Sequence, residues 1–135
     1  MPVEFPPECP PADAAPKPGT YYRLAQRTLK AGDETTADSW LRPYETRGTE
    51  FYKKPDLPEA HGLSIFASLD DVHAAAEFSS WVRSKSVAEI TISGSDGDLL
   101  HTPVELGESH HDWWTNPYDL APVGVVVVEA REEAA

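Results

Sequence analysis

The strongest constraint on the fold is a segment that predicts a strand, a helix and a second strand in succession. Residues 63–68 alternate between aliphatic and other side chains, as in a strand with one buried face. Ser68 then has the position of a helix N-cap, with acidic residues following it, where negative charge suits the helix dipole. Apolar residues at helical spacing predict a helix over 69–82, and alternation over 87–93 predicts the next strand.

Three further segments have the composition of strands. Residues 20–26 are rich in aromatic side chains and contain no Pro or Gly, and residues 99–102 follow a turn rich in Gly and Asp. Residues 124–130 contain four consecutive valines, a pattern typical of a central strand buried on both faces. We therefore predict an α+β fold, a single domain over residues 20–133 with a mainly antiparallel twisted sheet of roughly four to six strands and one principal helix.

Two aromatic residues lie beside the apolar stripe of the predicted helix. Phe78 and Trp81 are three residues apart and so share one side of a helix. Large aromatic rings stabilise a fold mainly by burial. We predict that both belong to the core.

Prolines and glycines divide the rest of the chain. Seven of the 13 prolines fall in the first 18 residues, which predicts a disordered, Pro-rich tail over residues 1–19. Residues 30–60 are interrupted repeatedly by Gly and Pro and predict a long irregular connection. Long ordered loops are frequently binding loops, so this connection is a candidate for function.

The charge of the chain restricts its partners. Acidic residues outnumber Lys and Arg by 23 to 11, and the net charge is −12. Nucleic acids and anionic membranes bind through clustered Lys and Arg, so neither is an expected partner, whereas a basic protein is. No signal peptide or membrane span is recognisable, and the expected location is cytoplasmic. The single Cys9 lies among prolines with no base nearby, so a nucleophilic role is not expected.

The run Ser109-His110-His111-Asp112-Trp113-Trp114 has the most concentrated chemistry in the sequence. In an extended segment alternate side chains share a face, so His110, Asp112 and Trp114 would point together. Aromatic walls with a few polar groups are typical of small-molecule pockets, and we predict that these three residues bind a ligand. A second interpretation is a metal site in which His110 and Asp112 join a distant His101, His73 or His61, although the spacing matches no known metal motif.

The order of elements resembles the core of the ADP-ribosyltransferase fold. The resemblance covers a first strand with Tyr22 and Arg23, the strand Gly-Leu-Ser-Ile-Phe-Ala-Ser, a helix, the strand 88–93 and the last hydrophobic strand. It implies that Arg23 holds phosphate or ribose groups of NAD, that Ser64 braces the nicotinamide pocket and that Glu105 directs the transfer. Tyr22, next to Arg23, is a further candidate ligand-binding residue. The chain is also similar to small bacterial domains with a Tyr-Arg-Leu start and a His-x-Trp-Trp near the end, which implies no particular activity.

Three functional hypotheses follow. The first is a small acidic intracellular domain with a polar-aromatic pocket for a nucleotide-like small molecule, similar to ADP-ribosyltransferases and binding NAD. The alternative is a non-catalytic acidic interaction or inhibitor protein that binds a basic protein partner. A metal-dependent enzyme centred on His110 and Asp112 is a third hypothesis.

Overall fold

The computed structural model describes residues 5–45, 57–105 and 107–131 of the chain. Within these ranges the fold consists of six strands, two helices and three short 3-10 turns. The strands are β1 (Gly19–Ala25), β2 (Leu63–Phe66), β3 (Ser86–Ile92), β4 (Gly97–His101), β5 (His110–Thr115) and β6 (Val125–Val128). The helices are α1 (Leu69–Phe78) and α2 (Ser80–Arg83), and the turns are Ala37–Trp40, Pro43–Glu45 and Pro58–Ala60.

All six strands form one antiparallel sheet in the order β4-β5-β2-β1-β3-β6. β1 lies between β2 and β3 and is antiparallel to both, so the two helices connect strands that run in the same direction on either side of it. The prediction of an α+β, sheet-dominated fold with one principal helix is confirmed.

The two faces of the sheet differ in chemistry because cross-strand partners point to the same side. One face is the core: Tyr21 is opposite Ile90, and Leu63 and Leu99 are both opposite Trp113. All five of these side chains are buried. The other face has mainly polar and aromatic side chains, and it contains most of the predicted ligand-binding residues.

The predicted helix over 69–82 is interrupted at one residue. The Ser68 hydroxyl accepts a hydrogen bond from the Asp71 N–H, 3.3 Å away, which confirms the N-cap. At Ser79 the backbone becomes extended, with φ −132° and ψ 113°, and the Ser79 hydroxyl caps α2 by accepting from the Val82 N–H. Serine side chains compete for backbone groups in this way, which explains why apolar spacing alone overestimated the helix.

The interruption places Phe78 and Trp81 in solvent. Phe78 is 81% exposed and Trp81 is 62% exposed, so the prediction that both belong to the core is wrong. The buried side of α1 consists of the smaller Val72, Ala75 and Ala76.

β6 is the last strand in the sheet, not a central one. Val126 is buried, but Val125 and Val127 are 43% and 40% exposed, so the expectation of burial on both faces is wrong. The main-chain groups on the outer edge of β6 form hydrogen bonds with the segment before the first 3-10 turn. The Gly32 N–H donates to Val126 O, and the Val126 N–H donates to Asp33 O.

The N-terminal segment has defined contacts with the sheet from residue 5 onward. Ala15 and Leu99 exchange two main-chain hydrogen bonds of 3.0 and 2.8 Å, which extends the pairing beyond β4. Phe5 packs edge-on against Tyr118, with ring centroids 4.7 Å apart. The predicted disordered Pro-rich tail is therefore not shown: two long-range contacts hold residues 5–18 where composition predicted disorder. Among the described residues, no helix has the length and apolarity needed to cross a membrane.

The exposure of Phe78 and Trp81 predicts that they contribute little to stability. Replacing both with Ser should change the free energy of unfolding by no more than about 1 kcal/mol, because both side chains stay mostly exposed in the folded protein. The fully buried Leu99 is the contrast, since Leu99→Ala should lower the unfolding free energy by about 2–5 kcal/mol. Urea denaturation of the three proteins tests this. A loss in the double variant as large as that of Leu99→Ala would show that the two rings are packed.

Candidate functional site

Most of the residues predicted to bind a ligand share the polar face of the sheet. Ser64 is the cross-strand partner of Asp112. Tyr22 is opposite Phe66, which is in turn opposite His110. Because the alternation of a strand fixes these directions, Trp114 also belongs to this face. The sequence prediction that His110, Asp112 and Trp114 point together agrees with this arrangement.

His110 is held by a neighbouring threonine. Its Nδ1 lies 2.8 Å from Thr102 O and 2.9 Å from Thr102 Oγ1. The ring also meets Phe66 edge-on at a centroid distance of 5.3 Å. His110 is 9% exposed, so it is a fixed neighbour of Asp112 and offers little surface to a ligand.

Trp114 is a structural residue of this face. It is 2% exposed, and its indole N–H donates to Pro58 O at 2.9 Å. Gly62 lies beside it, next to the partner of Trp113, and a Cβ there would lie 3.2 Å from the indole ring and 3.1 Å from the Asp112 Cβ. A side chain at position 62 would therefore crowd both residues.

Asp112 is a half-buried carboxylate whose pKa is raised above its ordinary value. Burial is the main cause, because it disfavours the charged form, and the nearby Glu59 acts in the same direction. His110 and Thr102 oppose the shift by favouring the ionised form. A buried acid of raised pKa is a recognised mark of functional sites, and structural networks produce it too.

Arg23 lies on the core face, away from this group. Its Nε donates to Ser39 O at 2.6 Å, Nη1 to Ser64 O at 2.9 Å and Nη2 to Leu41 O at 3.2 Å. The guanidinium also lies 5.2 Å from the centre of the Trp40 ring. Removal from water, with the positive charge of Arg42 nearby, lowers the pKa of Arg23 to about 10, so it stays charged at pH 7. Arg23 therefore joins β1 to β2 and to the first 3-10 turn.

The three residues assigned a catalytic role by resemblance do not form one cluster of side chains. Arg23 and Ser64 meet, but through the main-chain carbonyl of Ser64, while its hydroxyl lies on the opposite, exposed face. Glu105 is exposed at the turn between β4 and β5, in the bridge that Val104 makes with Gly107. Their roles in transfer from NAD stay a prediction. The described residues also contain no group of three or more His, Cys, Asp or Glu that could hold a metal, so the hypothesis centred on His110 and Asp112 gains no third ligand.

Arg42 is a central residue that sequence reasoning missed. It is 5% exposed, and its guanidinium donates to His61 O, Thr115 Oγ1 and Tyr118 O at 2.6, 2.8 and 2.6 Å. The same group stacks over the Tyr118 ring at 4.2 Å and over Phe5 at 5.2 Å. Nothing local to the sequence signals this role, because each partner is distant in the chain.

A cavity of about 580 Å³ lies between the N-terminal segment, the start of β4 and the end of β5. Three aromatic residues, Phe5, Trp114 and Tyr118, and two acids, Asp98 and Asp119, line it. The remaining lining is formed by Gly, Pro, Ser, Thr and Asn, so no Lys or Arg of the described chain contributes. Gly97 has φ +125°, and a Cβ there would lie 2.0 Å from Trp114 O, so this wall requires glycine.

A second cavity of about 430 Å³ lies on the other side of Tyr118. Trp40, Arg42 and Leu120 line it, together with Tyr118 and Asp119, which the two cavities share. Both cavities combine aromatic rings with a few polar groups, the pattern of small-ligand and side-chain pockets.

No protein-family model, curated protein or solved structure matches this chain. The site therefore has to be interpreted from its own chemistry.

The raised pKa of Asp112 predicts a pH-dependent effect of its removal. An acid whose pKa is higher in the folded state stabilises the fold at low pH and loses that contribution as pH rises through the folded value. Asp112→Asn should therefore increase the free energy of unfolding at pH 7, and the gain should shrink as pH falls through the raised pKa and vanish below the ordinary pKa of aspartate. Denaturation across this range, with the exposed Asp13→Asn as control, measures it. An Asp112→Asn protein that is less stable at every pH would show that the carboxylate is needed for the fold.

Proposed function

We propose that this protein is a non-catalytic binding domain that receives a basic segment of a partner protein. The observation that carries the proposal is the lining of the larger cavity, where the partly exposed rings of Phe5 and Tyr118 meet two carboxylates and no Lys or Arg of the described chain. Aromatic faces attract cations, and carboxylates pair with ammonium and guanidinium groups.

The charge of the chain supports the same conclusion. At a net charge of −12 the protein attracts basic partners and repels acidic ones over the Debye length of the solution. The guanidinium groups of Arg23 and Arg42 already donate to main-chain carbonyls. An anion such as the pyrophosphate of NAD would thus meet carboxylates in the larger cavity, whereas a Lys or Arg side chain would meet its preferred partners.

Calorimetric titration with oligo-arginine and oligo-lysine peptides tests the proposal, with oligo-glutamate and NAD as anionic probes. We expect the basic peptides to bind, and we expect their affinity to fall as salt is added, because the charged contacts are partly exposed. The double variant Asp98→Asn and Asp119→Asn should weaken binding by about twofold to thirtyfold, since each partly exposed pair contributes roughly 0.2–1 kcal/mol.

The matched control is Asp70→Asn with Glu77→Gln, which removes the same charge from exposed positions on α1. If binding depends on the cavity, this control should bind the basic peptides nearly as well as the natural protein. Equal weakening in both double variants would show that only net charge matters and would contradict the proposed site. Heat from NAD without heat from the basic peptides would favour the function implied by the resemblance to ADP-ribosyltransferases.

A further inference from the structure

Two histidines stand opposite each other on the hairpin formed by β4 and β5. His101 is the cross-strand partner of His111, so both side chains leave the same face of the sheet. Their ring centroids are 5.0 Å apart and their planes are tilted by 35°. His101 is exposed and His111 is 8% exposed, so the pair lies at the rim of the sheet where solvent reaches one ring.

Each imidazole has one ring nitrogen committed to a main-chain carbonyl. His101 Nε2 lies 2.6 Å from Glu108 O, and His111 Nδ1 lies 2.7 Å from Ser109 O. A carbonyl oxygen only accepts, so in the neutral rings these nitrogens carry the protons. His101 Nδ1 and His111 Nε2 then keep their lone pairs. Metal-binding histidines characteristically donate their other N–H to a carbonyl or carboxylate in this way.

The spacing of the pair suits a metal ion. Two imidazoles bound to one tetrahedral ion at about 2.0 Å have ring centres roughly 5 Å apart, which is the separation seen here.

We propose that His101 and His111 form a two-histidine site for a divalent transition-metal ion such as Zn²⁺ or Cu²⁺. The described residues supply no third His, Cys, Asp or Glu to the pair, so water completes the coordination. Imidazole nitrogen prefers these ions to Mg²⁺, which takes oxygen ligands. The site is separate from the cavity proposed to bind basic segments, and neither His101 nor His111 lines that cavity.

The test uses the full chain carrying Cys9→Ser, so that the thiol cannot contribute. Calorimetric titration with ZnCl₂ should give one ion per chain, and MgCl₂ should give no saturable heat. His101→Gln should weaken zinc binding at least tenfold, and because His101 is exposed this variant should keep the circular dichroism of the natural fold. His73→Gln, at an exposed histidine on α1, is the matched control and should bind as before.

A nuclear magnetic resonance titration identifies the ligands directly. Small additions of Cu²⁺ should broaden the imidazole signals of His101 and His111 before those of the other three histidines. The proposal is overturned if zinc binding is not saturable, if His101→Gln binds zinc as tightly as the parent protein, or if Cu²⁺ first broadens a different pair.

Discussion

The hydrogen bonds from two guanidinium groups to main-chain carbonyls hold the irregular parts of this chain on its sheet. Arg23 joins β1 to β2 and to the first 3-10 turn, and Arg42 joins the chain near its second and third 3-10 turns to the end of β5. Carbonyls in long loops must find donors when they leave water, and a guanidinium supplies several at once. Arg42 also stacks on Tyr118, so the same interaction positions an aromatic wall shared by both cavities.

This arrangement connects the fold to the proposed function. The Arg42 guanidinium donates into the protein, and the larger cavity on the far side of Tyr118 has only acidic groups as its charged lining among the described residues. Asp98 and Asp119 are its charged lining, while the Arg42 guanidinium lies 4.2 and 5.2 Å from the centres of the Tyr118 and Phe5 rings. The proposed binding of a basic segment rests on this lining and on the net charge of −12.

Sequence patterns predicted the elements whose determining residues are close together in the chain. The Ser68 cap, α1 and strands β1 to β3 follow from alternation and helical spacing. Alternation also predicted that His110, Asp112 and Trp114 share a face. It equally implies that Tyr22 and Arg23 point to opposite faces, although the resemblance placed both beside one ligand. The edge position of β6, the contacts of Phe5 and the role of Arg42 depend on residues far apart in sequence, and no local pattern contains them.

Hydrogen-deuterium exchange with bound oligo-arginine tests the proposed binding function most directly, because it locates the bound peptide without any substitution. The cavity is formed by the turn before β4 and the segment after β5, so protection should be confined to residues 94–98 and 114–119, with Phe5 and its neighbours included. The exposed α1–α2 region should exchange as it does in the free protein. Protection centred on Phe78 and Trp81, with none at residues 114–119, would contradict the account.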